Sequence, residues 1–174
     1  MNSWPRKDLS FMEIERKFLI EKLPSDLASF ECLVIEQAYL CTDPVIRIRK
    51  ENENYYMTYK GKGLMAREEY NLPLNKDAYE HLLTKADGNI IAKKRYLIPI
   101  AKPVFASGCT PSEEALKLKI ELDVFEPPFA PLIIAEVEFP DKEMANAFIP
   151  PAWLGEDVTT NPKYHNSNLS RKDL

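Results

Sequence analysis

The 174 residues predict an α+β fold that is predominantly β: an eight-stranded, closed antiparallel barrel with a charged interior and helices packed outside. Three observations lead there. Apolar and polar residues alternate with period two in eight short segments, seven of which carry a column of at least two charged residues on one parity. One clear segment and one shorter one have helical period instead. Fourteen prolines fall mainly between the segments, as short antiparallel strands with defined connections require.

Met12–Ile20 sets Glu13, Glu15 and Lys17 on one face and Met12, Ile14 and Phe18 on the other, because residues at i, i+2 and i+4 leave a strand on one side. Leu33–Leu40 follows, and Asp43-Pro44 turns the chain into Val45–Lys50, where Arg47 and Arg49 oppose Ile46 and Ile48. After Glu51-Asn52-Glu53-Asn54, the strand Asn54–Lys60 sets Tyr56, Thr58 and Lys60, with Lys62 beyond them, against Tyr55, Met57 and Tyr59. Gly61-Lys62-Gly63 reads as a hairpin turn into Ala66–Leu72, with Arg67, Glu69 and Asn71 on one parity. A helix then opens at Asn75 as N-cap, carries Tyr79, Leu82, Leu83 and Ala86 on one face, and ends at Gly88 as C-cap. Ile90–Pro99 alternates Lys93 and Arg95 with Lys94, Tyr96 and Ile98. Leu116–Phe125 alternates Lys117, Lys119, Glu121 and Asp123 with leucine, isoleucine and valine, and Leu132–Phe139 opposes Glu136 and Glu138 to Ala135, Val137 and Phe139. A short helix from Asp141 buries Met144, Ala145 and Phe148 before Pro150-Pro151 stops it.

An unpaired buried charge costs several kcal/mol or more, so the charged faces cannot be packed dry. Apolar faces, by contrast, can be covered by helices. The consistent solution is an inverted barrel, apolar outside, with a wet charged bore that holds ions or an ionic ligand. The competing solution is a self-neutralising lattice of salt bridges, which gains little over apolar packing.

Composition bounds the rest. One domain spanning residues 1–174 is expected, without internal repeat or low-complexity linker. A net charge of −4 and a pI near 5.4 argue against non-specific coating of nucleic acid, and no nucleic-acid partner is expected. Cys32, Cys41 and Cys109 lack the spacing of a disulfide framework or a thiolate zinc site. The amino terminus has no apolar signal region, no run is long enough to span a membrane, and a cytoplasmic location is expected. A homodimer stays open.

The inward columns supply Lys17, Arg47, Arg49, Lys60, Arg67, Lys93, Arg95 and Lys119 as cations, and Glu13, Glu15, Glu69, Glu121, Asp123, Glu136 and Glu138 as acids. Glu13/Glu15 and Glu136/Glu138 are two Glu-x-Glu pairs, each placing carboxylates roughly 7 Å apart along a strand. Two such pairs brought together offer an all-oxygen site for Mg²⁺ or Mn²⁺. The Arg and Lys columns suit a polyanion, with Arg binding in bidentate fashion and Lys as a point charge. Metal, polyanion and cations together are the kit for phosphoryl transfer, and a narrow triphosphate fits such a bore. No Gly-rich phosphate loop is present, and Gly61-Lys62-Gly63 is too short to be one.

The ordered set Glu13-x-Glu15-x-Lys17, Arg47-x-Arg49, Lys60, Arg67/Glu69, Lys93-x-Arg95, Glu121-x-Asp123 and Ala135-Glu136-Val137-Glu138 resembles the CYTH superfamily of triphosphate tunnel metalloenzymes. Residues 155–159 and 163–169 resemble the closing segment of its small bacterial members. The resemblance implies a tunnel of eight strands, divalent-metal dependence and a small-molecule triphosphate substrate. Carried onto this chain, it implies metal ligation by Glu13, Glu15, Glu136 and Glu138, assisted by Glu121 and Asp123. Lys17, Arg47, Arg49, Lys60, Arg67, Lys93, Arg95 and Lys119 would grip phosphates, with Glu69 and Lys93 in catalytic roles. Asn71 departs from the pattern, which often has an acid there. The expected activity is hydrolysis of inorganic tripolyphosphate, with nucleoside triphosphates next. The alternatives are a class IV-type adenylate cyclase and a non-catalytic polyphosphate or nucleotide sensor.

Other residues read as structural. His81 sits on the polar side of its helix, Trp4 and Trp153 pack, and His165 caps the bore from the tail, with contact to substrate as the alternative. Tyr39, Tyr56 and Tyr59 read as core, or as a stacking platform for a base. Ser167 lacks the His/Asp context of a nucleophile.

Overall fold

The computed structural model describes residues 11–171; Trp4 lies outside them. Strands β1 (Phe11–Leu19), β2 (Glu31–Thr42), β3 (Val45–Glu51), β4 (Asn54–Lys60) and β5 (Ala66–Leu74) precede helix α1 (Lys76–Leu83). Then come β6 (Asp87–Pro99), β7 (Val104–Phe105), β8 (Lys119–Phe125), β9 (Ile133–Glu138), α2 (Lys142–Ala147), β10 (Phe148–Ile149) and α3 (Asn166–Leu169). Eight strands close a wholly antiparallel barrel in the order β1-β5-β4-β3-β2-β6-β8-β9, with β9 returning to β1. β7 and β10 pair beside it as a two-stranded sheet. Among the described residues, no helix is long and apolar enough to cross a membrane.

The barrel is inverted, as the alternation predicts. Its principal core lies outside the strands, where Ile14, Phe18, Ile120, Leu122, Ala135 and Val137 pack beneath Met144 and Ala145 of α2 and Phe148. Asp141 accepts from the Met144 N–H at 2.7 Å and starts that helix. On another side α1, capped by Asn75 through the Ala78 N–H at 2.8 Å, sets Tyr79 on Ala38 and Ile48.

Four expectations are corrected. The chain over Ala115–Lys117 is a 3₁₀ turn that buries Ala115, so β8 begins only at Lys119 and Lys117 belongs to no column. Helix α1 ends at Leu83, and Gly88 is not its C-cap but part of β6. Its φ of +75° and a would-be Cβ 2.1 Å from the Ser170 carbonyl oxygen explain the glycine. Trp153 is exposed at 39% rather than packed. The bore is not charged throughout. Tyr39, Ile91, Phe125 and Ile134 pair across the ladders with Arg47, Gln37, Lys93 and Asp123, so they share the inward face. With Leu169 from α3 they form a dry plug at one end.

The segment after Pro151 is bound along β1. The Lys17 N–H donates to Thr159 Oγ1 at 3.0 Å, and the Val158 N–H to the Lys17 carbonyl at 2.9 Å. Arg16 faces outward; its guanidinium donates to Asp157 at 2.7 and 3.0 Å and to the carbonyls of Ala145 (3.0 Å) and Phe148 (2.8 Å).

Candidate active site

Cross-strand register gathers the inward columns. Lys17 pairs with Glu136 and Glu15 with Glu138 across β1/β9, Glu13 with Arg67 across β1/β5, and Lys60 with Glu69 across β4/β5. Together they line a cavity of about 260 Å³. Every residue named above as a candidate ligand or catalyst borders it except Lys93 and Asp123.

Those two are fully buried beside Arg95. Lys93 pairs with Asp123, whose carboxylate also accepts from Arg95 Nε and Nη2 at 2.6 Å each. Arg95 reaches on to Glu121 and to Glu136 at 2.6 Å. Burial raises the Asp123 carboxyl pKa, but Arg95 and Lys93 outweigh it and hold it below the usual carboxylate range. Burial brings the Lys93 ammonium down to about 8 against the pull of Asp123. Direct contact with a ligand in the cavity, expected of both residues, is not what this placement offers; charge parity reveals a face, not a depth.

The remaining acids on β1 and β5 have cation partners. Lys60 Nζ lies 2.7 Å from Glu13 and 2.6 Å from Glu69. Arg67 meets Glu13 at 3.1 Å and Glu15 at 3.3 Å, and Lys17 bridges Glu15 (2.9 Å) and Glu136. Burial opposes ionisation of Glu69, yet Lys60 holds its pKa at about 2. Asn71 lies outside the cavity and donates to Glu69 at 2.7 Å, so it orients the acid.

Two places are uncompensated. Arg47 and Arg49, only 4% and 8% exposed, have Nε atoms with no hydrogen-bond partner among the described residues. Their other contacts are neutral hydroxyls, Thr58 at 3.2 Å and Tyr56 at 3.3 Å, with Glu51 distant at 3.8 Å. Burial and the adjacent Arg49 both lower the Arg47 pKa. Across the cavity, Glu138 has the opposite problem: partial burial and then the carboxylates of Glu13, Glu121 and Glu15 push its pKa up to about 7. No Lys or Arg among the described residues pairs with it. Among the described residues no three His, Cys, Asp or Glu side chains converge in metal-binding geometry as they lie, because Lys and Arg partners separate them. The oxygen-only donor set and the excess charge at Glu138 nevertheless fit a hard cation.

The tail contributes more than a cap. His165, 6% exposed, borders the cavity with Asn166 and Ser167, and its Nε2 has no partner among the described residues. Burial, then Lys17 and Arg67, lower its pKa. Tyr39 and Tyr56 border the cavity too, whereas Tyr59 points outward onto Tyr70, 6.0 Å between ring centres. His81 is exposed, as expected.

Comparison with known proteins agrees with this geometry. The chain is 35% identical over 161 residues to an inorganic triphosphatase of Nitrosomonas europaea, covering 91% of this chain and 96% of that one. It is 32% identical over 163 residues to an inorganic triphosphatase of Acetivibrio thermocellus, covering 90% and 92%. A crystal structure of an inorganic triphosphatase matches with a TM-score of 0.61 at 32% identity, over 92% of this chain and 95% of that one. The CYTH domain family model matches residues 12–143, and the chain belongs to that family.

Proposed function

We propose that the protein is a divalent-metal-dependent triphosphatase that hydrolyses inorganic tripolyphosphate to pyrophosphate and orthophosphate within the barrel. The observation that carries this reading is the split in the cavity, with, among the described residues, guanidinium Nε atoms unpartnered on β3 and the Glu138 carboxylate without a cation partner across from them. A polyanion would satisfy the first and a dication the second. The cavity of about 260 Å³ has room for a bare triphosphate. The two relatives named inorganic triphosphatase support the same substrate.

In this reading Arg47 and Arg49 bind phosphate oxygens and fix the chain's direction. Glu13, Glu15, Glu136 and Glu138 would hold Mg²⁺ or Mn²⁺, with Glu121 at the margin; the ion supplies charge neutralisation for the phosphates. Lys17, Lys60 and Arg67, which hold those acids together, are then within reach of phosphate as well, and Lys119 lies at the mouth. Water attacks the terminal phosphorus in line, the P–O–P bond to the leaving pyrophosphate breaks, and the water's proton passes to solvent. Glu69, whose carboxyl Lys60 holds well below the usual carboxylate range, would orient the water as an ionised acceptor. Lys93 and Asp123 act through Arg95 as positioning residues.

The test is a panel of tripolyphosphate, ATP, GTP and thiamine triphosphate, each with Mg²⁺ and Mn²⁺, with products separated chromatographically, for the wild type and Glu136→Gln. Tripolyphosphate turnover that needs the metal and is lost in the variant is expected. Cyclic AMP from ATP, or unchanged turnover in Glu136→Gln, would overturn the assignment.

A further inference from the structure

A second cavity, of about 290 Å³, lies against the tail side of the barrel. It is bordered by Asp43 from the β2–β3 turn, Lys60 and Lys62 with the glycines around Lys62, Arg67, and His165 and Ser167 from the tail. Val45, Lys60, Arg67, His165 and Ser167 border both this cavity and the inner one. These side chains therefore lie where the two spaces adjoin. Lys60 and Arg67 are held by Glu13, Glu15 and Glu69 on the inner side, so Lys62 is the cation this outer space has to offer an anion, opposite Asp43. His165 is 94% buried at that junction with Nε2 unpartnered, a state that costs free energy unless a ligand pairs with it.

The tail is firmly seated at the junction. The Asn168 side chain donates to the Pro162 carbonyl at 2.7 Å, the Asn168 N–H to the His165 carbonyl at 2.9 Å, and Leu169 anchors in the plug. The Asn89 N–H donates to the Ser170 carbonyl at 2.6 Å. Its backbone is pinned, and the side chains of His165 and Ser167 border both spaces.

We infer that His165 and Ser167 gauge the length of the phosphate chain, stopping a triphosphate at the junction and keeping longer linear polyphosphates from reaching the Lys62 groove beyond. This rests on the polyphosphate reading above. It adds a specificity element and a second anion subsite, both outside the metal and arginine walls. Lys62, carried on a hairpin between two glycines, would receive the overhanging phosphate once the junction is opened.

Binding of tripolyphosphate and of a longer linear polyphosphate is measured by titration calorimetry alongside phosphate release, for the wild type, His165→Ala/Ser167→Ala and His165→Gln. The wild type should prefer tripolyphosphate. The double variant should shift the affinity ratio toward the longer chain by about tenfold, the scale on which a pocket wall discriminates one added group. His165→Gln, which keeps most of the bulk, should retain the preference. Adding Lys62→Ala to the double variant should take back part of the gain. An unchanged ratio in the double variant, folded by thermal melting, overturns the gauge, as does a wild type without preference. If the double variant does not fold, His165→Ala alone makes the same comparison. Length-dependent binding without phosphate release would sink the triphosphatase reading and leave the gauge standing; no binding of either anion would sink both.

Discussion

Arg95 and Arg47 are both buried guanidinium groups on the inner face of one barrel, and they are treated in opposite ways. Arg95 meets Asp123, Glu121 and Glu136, and Lys93 completes the cluster from behind. Arg47 has one neutral hydroxyl and an unpartnered Nε; Arg49 beside it also has an unpartnered Nε, although Glu51 lies 3.8 Å from its Nη1. A closed ionic network is self-sufficient and rigid, whereas a half-satisfied one carries an energetic deficit that only something absent from the chain can make good. The difference separates scaffold from binding surface among residues of one chemical type.

The largest effect should come from opening the closed cluster. Asp123→Ala leaves Lys93 and Arg95 buried without their carboxylate and should remove about 3–5 kcal/mol of stability, read from the urea midpoint at neutral pH. Arg47→Met should do the reverse: tripolyphosphate turnover falls by about 10²–10³-fold, the usual scale for one lost charge-stabilising donor, while the urea midpoint holds or rises. Equal destabilisation by the two substitutions would break the distinction between them.

A smaller effect sharpens the acidic side. Glu138 has its carboxyl pKa raised from 4.5 to about 7, so between those values the folded chain holds more protons than the unfolded one. Stability of the metal-free protein should therefore fall as pH rises through that interval. Saturating Mg²⁺ should flatten the slope, as should Glu138→Gln, both followed by thermal melting across pH. Smallest of all, His81→Ala on the exposed face of α1 should change stability by less than about 0.5 kcal/mol and leave turnover unaltered.

Period-two alternation carried most of the fold because seven of the eight strands set charged residues inward and mostly apolar ones outward, a contrast visible from Glu13 to Glu138. It failed where composition does not distinguish the faces. Ile91, Phe125 and Ile134 are as apolar as their outward neighbours, so the dry plug was invisible until the register was known. Leu116 and Leu118 continue the alternation of β8, but the chain over Ala115–Lys117 curls into a 3₁₀ turn that buries Ala115 and exposes Leu116, while Leu118 stays in the core. Asp123 and Lys93 have the right parity for the cavity and the wrong depth, since depth depends on which cation swings across them. His165 lies in a short tail without periodicity, and only its docking against the barrel reveals what it borders.

Arg16 stands between Glu15 and Lys17 and points away from both. If β1 slipped by a single residue, every side chain would change sides, sending Arg16 into the bore and its two neighbours out. Such a slip would also pull Ile14 and Phe18 from the core and set Glu13, Glu15 and Lys17 into it, so burial opposes it too. Four hydrogen bonds to Asp157, Ala145 and Phe148, with the guanidinium 5.1 Å over the Phe18 ring, exist only in the native frame. An outward-facing residue with no access to the cavity therefore works as a key, admitting the strand in one reading frame and so deciding which charges the cavity receives.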